Sequence, residues 1–248
     1  MSADWIRADW PAPHRILAGT TTRSGGASRG VYASLNVAGH VGDTDESVEL
    51  NRQKMIEMCG LPAEPRWIRQ VHGTRVAHTG SVEFGDTAPA ADAAIADSVG
   101  EVCAVLTADC LPILLCATDG SEVAAAHGGW RGLAAGICEA TVAAMSTAPE
   151  SLIAWLGPAI SQSAFEVGNE VRAAFIAADR SAASCFSKNE HGRWQADLYA
   201  LARQRLAAAG VGNVYGGGLC TYADAERFFS YRRDGECGRM ASFIVRRW

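Results

Sequence analysis

Between residues 102 and 126 the chain carries three apolar runs in close succession: 102–106, 113–117 and 122–126. The first two show almost no alternation of polar and apolar residues, so neither leaves a face for water. Such runs read as strands buried on both sides. The polar connection between them is Thr107-Ala108-Asp109-Cys110-Leu111-Pro112. The third run ends at His127-Gly128-Gly129-Trp130-Arg131-Gly132 and passes into a helical pattern that reaches about Met145. This is a strand, a glycine turn and a helix.

The flanking sequence continues the mixture. A strand over 15–22 runs into Ser24-Gly25-Gly26, a turn signal, and then into a Gly-, Ser- and Asn-rich loop that reaches Gly42. Asp43-Thr44-Asp45 predicts a helix start, with acidic residues in the first turn and Gly60 as the stop. Short strands are expected over 66–71 and 74–79, joined at His72-Gly73. In the second half the pattern predicts a strand over 152–156, helices over 169–178 and 197–209, and strands near Val214 and over 242–245. No composition break, linker or internal repeat interrupts the 248 residues. One α/β domain over 1–248 is the expectation.

A chain of this length with 48% apolar residues can complete its own core. Net charge is -5 and pI is near 5.7, which argues against a surface built to neutralise nucleic acid or anionic lipid. No segment approaches the roughly 20 apolar residues of a membrane span. The first residues lack a secretory pattern, so a cytoplasmic location is expected. The eight cysteines (59, 103, 110, 116, 138, 185, 220 and 237) are dispersed along the chain rather than arranged as a short secreted framework, and most should be buried thiols.

Three residues stand out chemically. His72 sits in a turn, while Cys110 and His127 sit at strand ends beside turns. Imidazole and thiolate are preferred zinc ligands, although the spacing matches no zinc finger or ribbon, and an isolated His or Cys is more often core or surface. Three ligands would leave a fourth tetrahedral position open, the mark of a catalytic site, and the metal could activate water or polarise a substrate oxygen. The turn containing Gly128, Gly129 and Gly132, with Arg131, reads either as an anion site beside the metal or as a tight packing turn. Arg23 and Asn36 are candidate binding residues on the long loop, where bracing hydrogen bonds are the alternative. Asp109 either orients a ligand or caps its own turn.

The segments Thr21-Thr22-Arg23-Ser24-Gly25-Gly26, Tyr32-Ala33-Ser34-Leu35-Asn36, Gln70-Val71-His72-Gly73, the Thr107 to Pro112 connection, Ala126-His127-Gly128-Gly129-Trp130-Arg131-Gly132 and Trp155-Leu156-Gly157-Pro158-Ala159-Ile160 together resemble the laccase-domain family. This is also called the polyphenol oxidase or peptidoglycan editing factor family, and its members are described as purine nucleoside phosphorylases. The likeness continues through Phe165-Glu166-Val167-Gly168 and Phe228-Phe229-Ser230-Tyr231-Arg232-Arg233-Asp234-Gly235. It implies an α/β (α+β) fold, a single domain of mixed β-sheet layers flanked by α-helices, with zinc on His72, Cys110 and His127. Departures are Ala96 where threonine is expected, Gly128 where alanine is usual and Cys237 where threonine is common.

The resemblance implies phosphorolysis of adenosine, with inosine, guanosine and methylthioadenosine as further substrates and adenosine deamination as a side activity. Arg23 and Arg131 would clamp phosphate. The usual zinc-deaminase signature is absent, so deamination would rest on a different scaffold. A second reading is hydrolysis of an amide, with Cys110 as nucleophile and His127 or His72 as base, or with zinc-bound water attacking. Its substrate would be a UDP-MurNAc cell-wall precursor carrying a misincorporated L-Ser. A third is a zinc-stabilised interaction module, closed by a fourth ligand from Cys103, Cys116 or Asp109. Six histidines are too few for a four-copper oxidase, although a single copper could displace zinc in vitro. The sequence assigns no oligomeric state.

Overall fold

The computed structural model describes residues 5–81 and 88–248; the start of the N-terminal segment inspected for a leader lies outside them. Its strands are β1 (Trp5–Arg7), β2 (Ile16–Thr21), β3 (Val76–His78), β4 (Ala93–Ala96), β5 (Val102–Thr107), β6 (Leu111–Ala117), β7 (Val123–Gly128), β8 (Leu152–Leu156), β9 (Glu166–Val167), β10 (Phe186–Lys188), β11 (Trp194–Ala196), β12 (Asn213–Gly216) and β13 (Met240–Arg246). The helices are α1 (Asp45–Cys59), α2 (Trp130–Ala135), α3 (Ile137–Ala144), α4 (Asn169–Ala178), α5 (Leu198–Ala208) and α6 (Tyr231–Asp234).

Two large sheets face each other. One has the order β1-β2-β13-β5 and is antiparallel throughout; the other has the order β12-β8-β6-β7-β4-β3, with parallel pairs only at its two edges. A small third sheet, β10-β11-β9, lies outside them.

The period-2 alternation of a strand assigns each side chain to a layer. Cys103 and Val105 of β5 meet Leu114 and Cys116 of β6 and Ala125 of β7 between the sheets. Val102, Ala104 and Leu106 of β5 point the other way and pack with Met55 and Cys59 of α1. Ile113 and Leu115 of β6 pack beneath Leu133, Ile137, Phe175 and Leu201, on the side of α2 to α5. The result is a helix, two sheets and a helical layer. Apolar runs without alternation are what this arrangement requires, because β5, β6 and β7 are covered on both faces. The expected architecture of sheet layers flanked by helices is the observed one.

Helix α1 starts where Thr44 accepts a hydrogen bond from the Ser47 amide and ends at Gly60, whose φ of 64° is the left-handed cap a glycine takes readily. Two expectations are corrected. Residues 66–71 form no strand; only Arg69 makes an isolated bridge, to Ala90. The single helix expected up to Met145 is two helices, broken at Gly136, whose φ is 101°. Among the described residues no helix is long and apolar enough to cross a membrane.

Candidate metal centre

The connection from β5 to β6 carries the chain from one large sheet into the other, so residues 108–110 lie at the end of the sandwich. Cys110 immediately precedes Leu111, whose backbone partner is Gly128, and His127 pairs with Pro112. The antiparallel register of β6 and β7 therefore sets Cys110 beside His127. His72 arrives from the turn preceding β3. The potential ligand atoms of His72, Cys110 and His127 all lie within 4.8 Å of one another, and no fourth His, Cys, Asp or Glu joins them among the described residues. The His72 and His127 rings meet edge to face at 4.8 Å between centroids.

One buried carboxylate organises this meeting. Asp92, fully buried just before β4, accepts hydrogen bonds from the amides of Val71 (3.1 Å), His72 (2.9 Å) and Gly73 (2.7 Å) and from His127 Nδ1 (2.9 Å). It ties down the His72 turn and fixes the His127 ring, leaving Nε2 as the free donor atom. Burial alone would raise its pKa, but the His127 and backbone hydrogen bonds outweigh that and hold it below the usual carboxylate value. Sequence reading missed Asp92. Its signal was a lone carboxylate inside the apolar stretch Ala90-Ala91-Asp92-Ala93-Ala94, where only a fully hydrogen-bonded charge is tolerated.

The electrostatics favour a thiolate. Burial pushes the Cys110 pKa up, but His127 and His72 outweigh it and bring the thiol down to about 6. Burial likewise works against charge on His127, yet Cys110 and Asp92 raise it to about 9. A soft anion beside two imidazoles is a donor set that suits a metal ion.

The glycines of the following turn serve this geometry. A Cβ on Gly129 would lie 2.7 Å from His72 Cδ2 and 3.3 Å from both Cys110 Sγ and His127 Cε1, and one on Gly132 would lie 2.8 Å from the Gly73 carbonyl. The backbone that approaches the glycine turn is therefore that of the His72 turn. Gly128, where alanine is usual in the resembling family, has the Leu111 carbonyl 2.8 Å from its missing Cβ, so an alanine here would need a local shift.

The triad opens onto a cavity of about 450 Å³ whose lining includes the apolar side chains of Trp130, Ile160, Phe165 and Leu198 and the polar ones of His40, Thr107, Asp109, Arg232 and Arg239. The three residues expected to bind substrate are absent from this lining. Arg23 donates to the carbonyls of Ala33 and Ala225 and lies over the Phe229 ring, bracing the loop. Asn36 is fully buried, bonded to Ala38 and Asp43 and to the Arg239 amide. Arg131 is exposed and lies over Trp130 at 4.4 Å. Asp109 accepts from Thr221 Oγ1 (2.6 Å) and the Arg232 amide (2.7 Å), so it ties the 108–110 connection to the segments that carry Thr221 and Arg232. Cys103 and Cys116 lie between the sheets, away from the triad, so neither supplies a fourth ligand. Six of the eight cysteines are buried and all eight are free.

His72 and Asp109 are the two described non-glycine residues with positive φ, at 59° and 92°. Backbone strain of about 1–3 kcal/mol per residue persists where the surroundings impose it, characteristically at ligand sites. Here the Asp92 hydrogen bonds impose it on His72, and those of Thr221 and Arg232 on Asp109.

Residues 17–247 match the family described as multi-copper polyphenol oxidoreductase laccase, and the chain belongs to that laccase-like family. It is 50% identical over 240 residues to the purine nucleoside phosphorylase YfiH of Escherichia coli, covering 96% of this chain and 97% of that one. It is 35% identical to the purine nucleoside phosphorylase YlmD of Geobacillus stearothermophilus, covering 98% and 94%. The crystal structure of Neisseria meningitidis protein NMB0706 superposes with a TM-score of 0.94 at 48% identity, over 99% of this chain and all of that one. That of YlmD superposes with a TM-score of 0.88 at 33% identity, covering 100% and 98%.

Proposed function

We propose that this chain is a zinc-dependent purine nucleoside phosphorylase that converts adenosine and phosphate to adenine and ribose 1-phosphate, with inosine, guanosine and methylthioadenosine as further substrates and adenosine deamination as a side activity. The observation that carries the reading is the three-donor cluster His72, Cys110 and His127, lacking a fourth protein ligand among the described residues and facing a cavity with an aromatic lining. Such a cavity is within the ~300–1,000 Å³ range of small-molecule sites.

The donor set suits zinc: one sulfur held as thiolate and two imidazoles, one of them oriented by a buried carboxylate. When bound there, the ion supplies a Lewis-acid centre for an oxygen of phosphate, water or substrate.

The protein's own groups do the rest. Phe165 and Trp130 supply aromatic surface for the purine, and Ile160 and Leu198 add apolar surface that displaces water. Arg232, whose guanidinium lies 5.4 Å from the Phe165 ring centroid and whose Nη1 donates to the Glu166 carbonyl, braces that ring. A phosphate oxygen forms the bond to the sugar carbon as the bond to the base nitrogen breaks. The proton of hydrogen phosphate ends on the departing base, so the step balances. Holding both reactants in one cavity converts an encounter in water into a pre-oriented displacement.

The test is metal analysis of untagged protein, followed by incubation with adenosine with and without phosphate and chromatography of adenine, ribose 1-phosphate and inosine. About one zinc per chain and phosphate-dependent adenine release are expected. A zinc protein inert towards nucleosides would refute the reading and favour hydrolysis of a misincorporated L-Ser from a UDP-MurNAc precursor. Retained phosphorolysis in metal-free Cys110→Ala protein would refute the role of the cluster.

A further inference from the structure

Two arginines line the cavity, Arg232 and Arg239. The ion pairs that arginines make among the described residues involve Arg52, Arg193, Arg205, Arg227 and Arg233; neither cavity arginine is among them. Arg232 is committed to the Phe165 wall through its carbonyl contacts with Ala164 and Glu166. Arg239 is likewise held through Nη1 alone, and what sets it apart is its neighbours Thr107 and His40. Its amide donates to Asn36 Oδ1 at 3.0 Å, and its Nη1 donates to the carbonyls of Cys237 (2.7 Å) and Gly238 (3.0 Å). Its Nη1 also reaches Cys237 Sγ (3.5 Å) and the guanidinium lies 5.8 Å from the Tyr231 ring centroid, while Nε and Nη2 make no hydrogen bond among the described residues. The guanidinium is thus fixed by one nitrogen and by its backbone, and presents the others with their charge uncompensated.

Two more groups join it. Arg239 precedes Met240, whose backbone pairs with Thr107, so the two backbones are neighbours at the end of the sheet, and both residues line the cavity. Thr107 is 1% exposed and lines the cavity, and its hydroxyl is buried with no hydrogen-bond partner among the described residues. A buried hydroxyl left unpaired is costly, and a valine of the same shape would avoid that cost. A threonine here is accounted for if a ligand supplies the partner. His40 also lines the cavity; burial and then the charges of Arg239 and Arg52 lower its pKa, so near neutral pH it is an uncharged imidazole able to donate one hydrogen bond. Arg52 itself is paired with Glu64. The lone carboxylate of the lining, Asp109, is occupied by Thr221 and the Arg232 amide.

We propose that Arg239, Thr107 and His40 form an oxyanion subsite that binds the phosphate co-substrate next to the metal centre, with the base held on the Phe165 side. This rests on the phosphorolysis reading for the identity of the anion. It replaces Arg23 and Arg131, whose side chains are directed elsewhere, and it gives Asn36 a place as the positioning residue that holds the Arg239 backbone. A planar guanidinium offering two free N–H directions suits a tetrahedral oxyanion, and a hydroxyl and a neutral imidazole complete its donors.

The experiment is titration of the metal-replete full chain with inorganic phosphate by calorimetry, without nucleoside, followed by the KM for phosphate and for adenosine. Arg239→Gln should weaken phosphate binding about tenfold or more, and Thr107→Val about threefold to tenfold, with the KM for adenosine within about threefold of wild type. Arg239→Lys should retain more affinity than Arg239→Gln. Thr107→Val keeps the shape of a buried side chain, so it tests the subsite even if the Arg239 loop loosens. Unchanged phosphate affinity in both Arg239→Gln and Thr107→Val would overturn the proposal. A raised KM for adenosine with phosphate unaffected would also overturn it, and would assign these groups to the sugar. Phosphate binding by wild type that is lost in Arg239→Gln, in a chain inert towards nucleosides, would uphold the subsite and refute the phosphorylase reading. Phosphate-dependent turnover indifferent to both substitutions would do the reverse.

Discussion

Replacing Asp92 by asparagine tests whether one buried carboxylate assembles the metal centre. Oδ1 of Asp92 accepts from the His72 amide and His127 Nδ1, while Oδ2 accepts from the Val71 and Gly73 amides. An asparagine has one oxygen. In either amide orientation its NH2 faces two N–H donors, and those donors lose the buried acceptor they share. Each unsatisfied buried group costs about 1–3 kcal/mol. Two of them give about 2–6 kcal/mol, of which turn relaxation recovers part, so about 3 kcal/mol is the expected loss of stability in the metal-free chain. For a chain of this size that lowers Tm by about 6–12 °C. Metal binding suffers separately, because His127 loses the acceptor that fixes its tautomer; losses of about 10–100-fold accompany removal of such partners. The assays are scanning calorimetry of the metal-free protein and competition for zinc against a chelating dye. An Asp92→Asn protein that melts within about 2 °C of wild type and binds zinc within about threefold would refute the account.

Gly129→Ala should reduce zinc affinity by about tenfold or more, since its methyl would stand 2.7 Å from His72 Cδ2; metal retained at full occupancy against the same dye would contradict that. In the metal-free chain Cys110 should alkylate with iodoacetamide along a profile with its midpoint near pH 6, because its pKa is depressed from the ordinary 9.0 to about 6. The thiolate is present above that pH and is lost as pH falls through it, and added zinc should suppress the reaction; a midpoint above pH 8 would count against the thiolate assignment. Phe165→Ala should raise the KM for adenosine about 10–100-fold, the usual worth of one aromatic platform, with the KM for phosphate unchanged. Equal effects on both would place the base elsewhere.

Much of this was legible in the residue pattern, for identifiable reasons. The runs at 102–106 and 113–117 mark β5 and β6 because double burial removes alternation, and Thr44 and Gly60 bracket α1 because caps obey local rules. The triad could be nominated because histidine and cysteine are scarce beside strand ends. What failed was non-local. Strand β4, Ala93–Ala96, is rich in a residue with little strand preference and exists because β3 and β7 flank it. Residues 66–71 have a strand composition without continuous neighbours to pair with. Arg23, Asn36 and Arg131 were reasonable binding candidates by residue type, but whether a side chain faces a cavity or a carbonyl depends on contacts with residues such as Ala225 and Arg239, roughly two hundred positions away for the loop pair. Asp92, Thr107, His40 and Arg239 were hidden as partners for the same reason, because the contacts that place them are non-local.

The family's description as a multi-copper oxidoreductase can be weighed against where the six histidines lie. His72 and His127 belong to the triad. His78 pairs with Asp97 at 3.7 Å and His191 with Glu190 at 3.6 Å, while the His14 carbonyl accepts from Arg247 and His40 lines the cavity beside Arg239. Among the described residues they form no second cluster, and a three-copper centre needs several imidazoles together. A blue-copper centre also takes two histidines and a cysteine, but adds a long axial ligand, typically methionine. The cavity lining contains none, and the Met240 sulfur accepts the Phe229 amide. The triad thus shares its ligand types with copper oxidases but not their number or their axial partner. Copper captured there would be a single ion at the triad, without the second histidine cluster that a multi-copper oxidase adds for the reduction of oxygen.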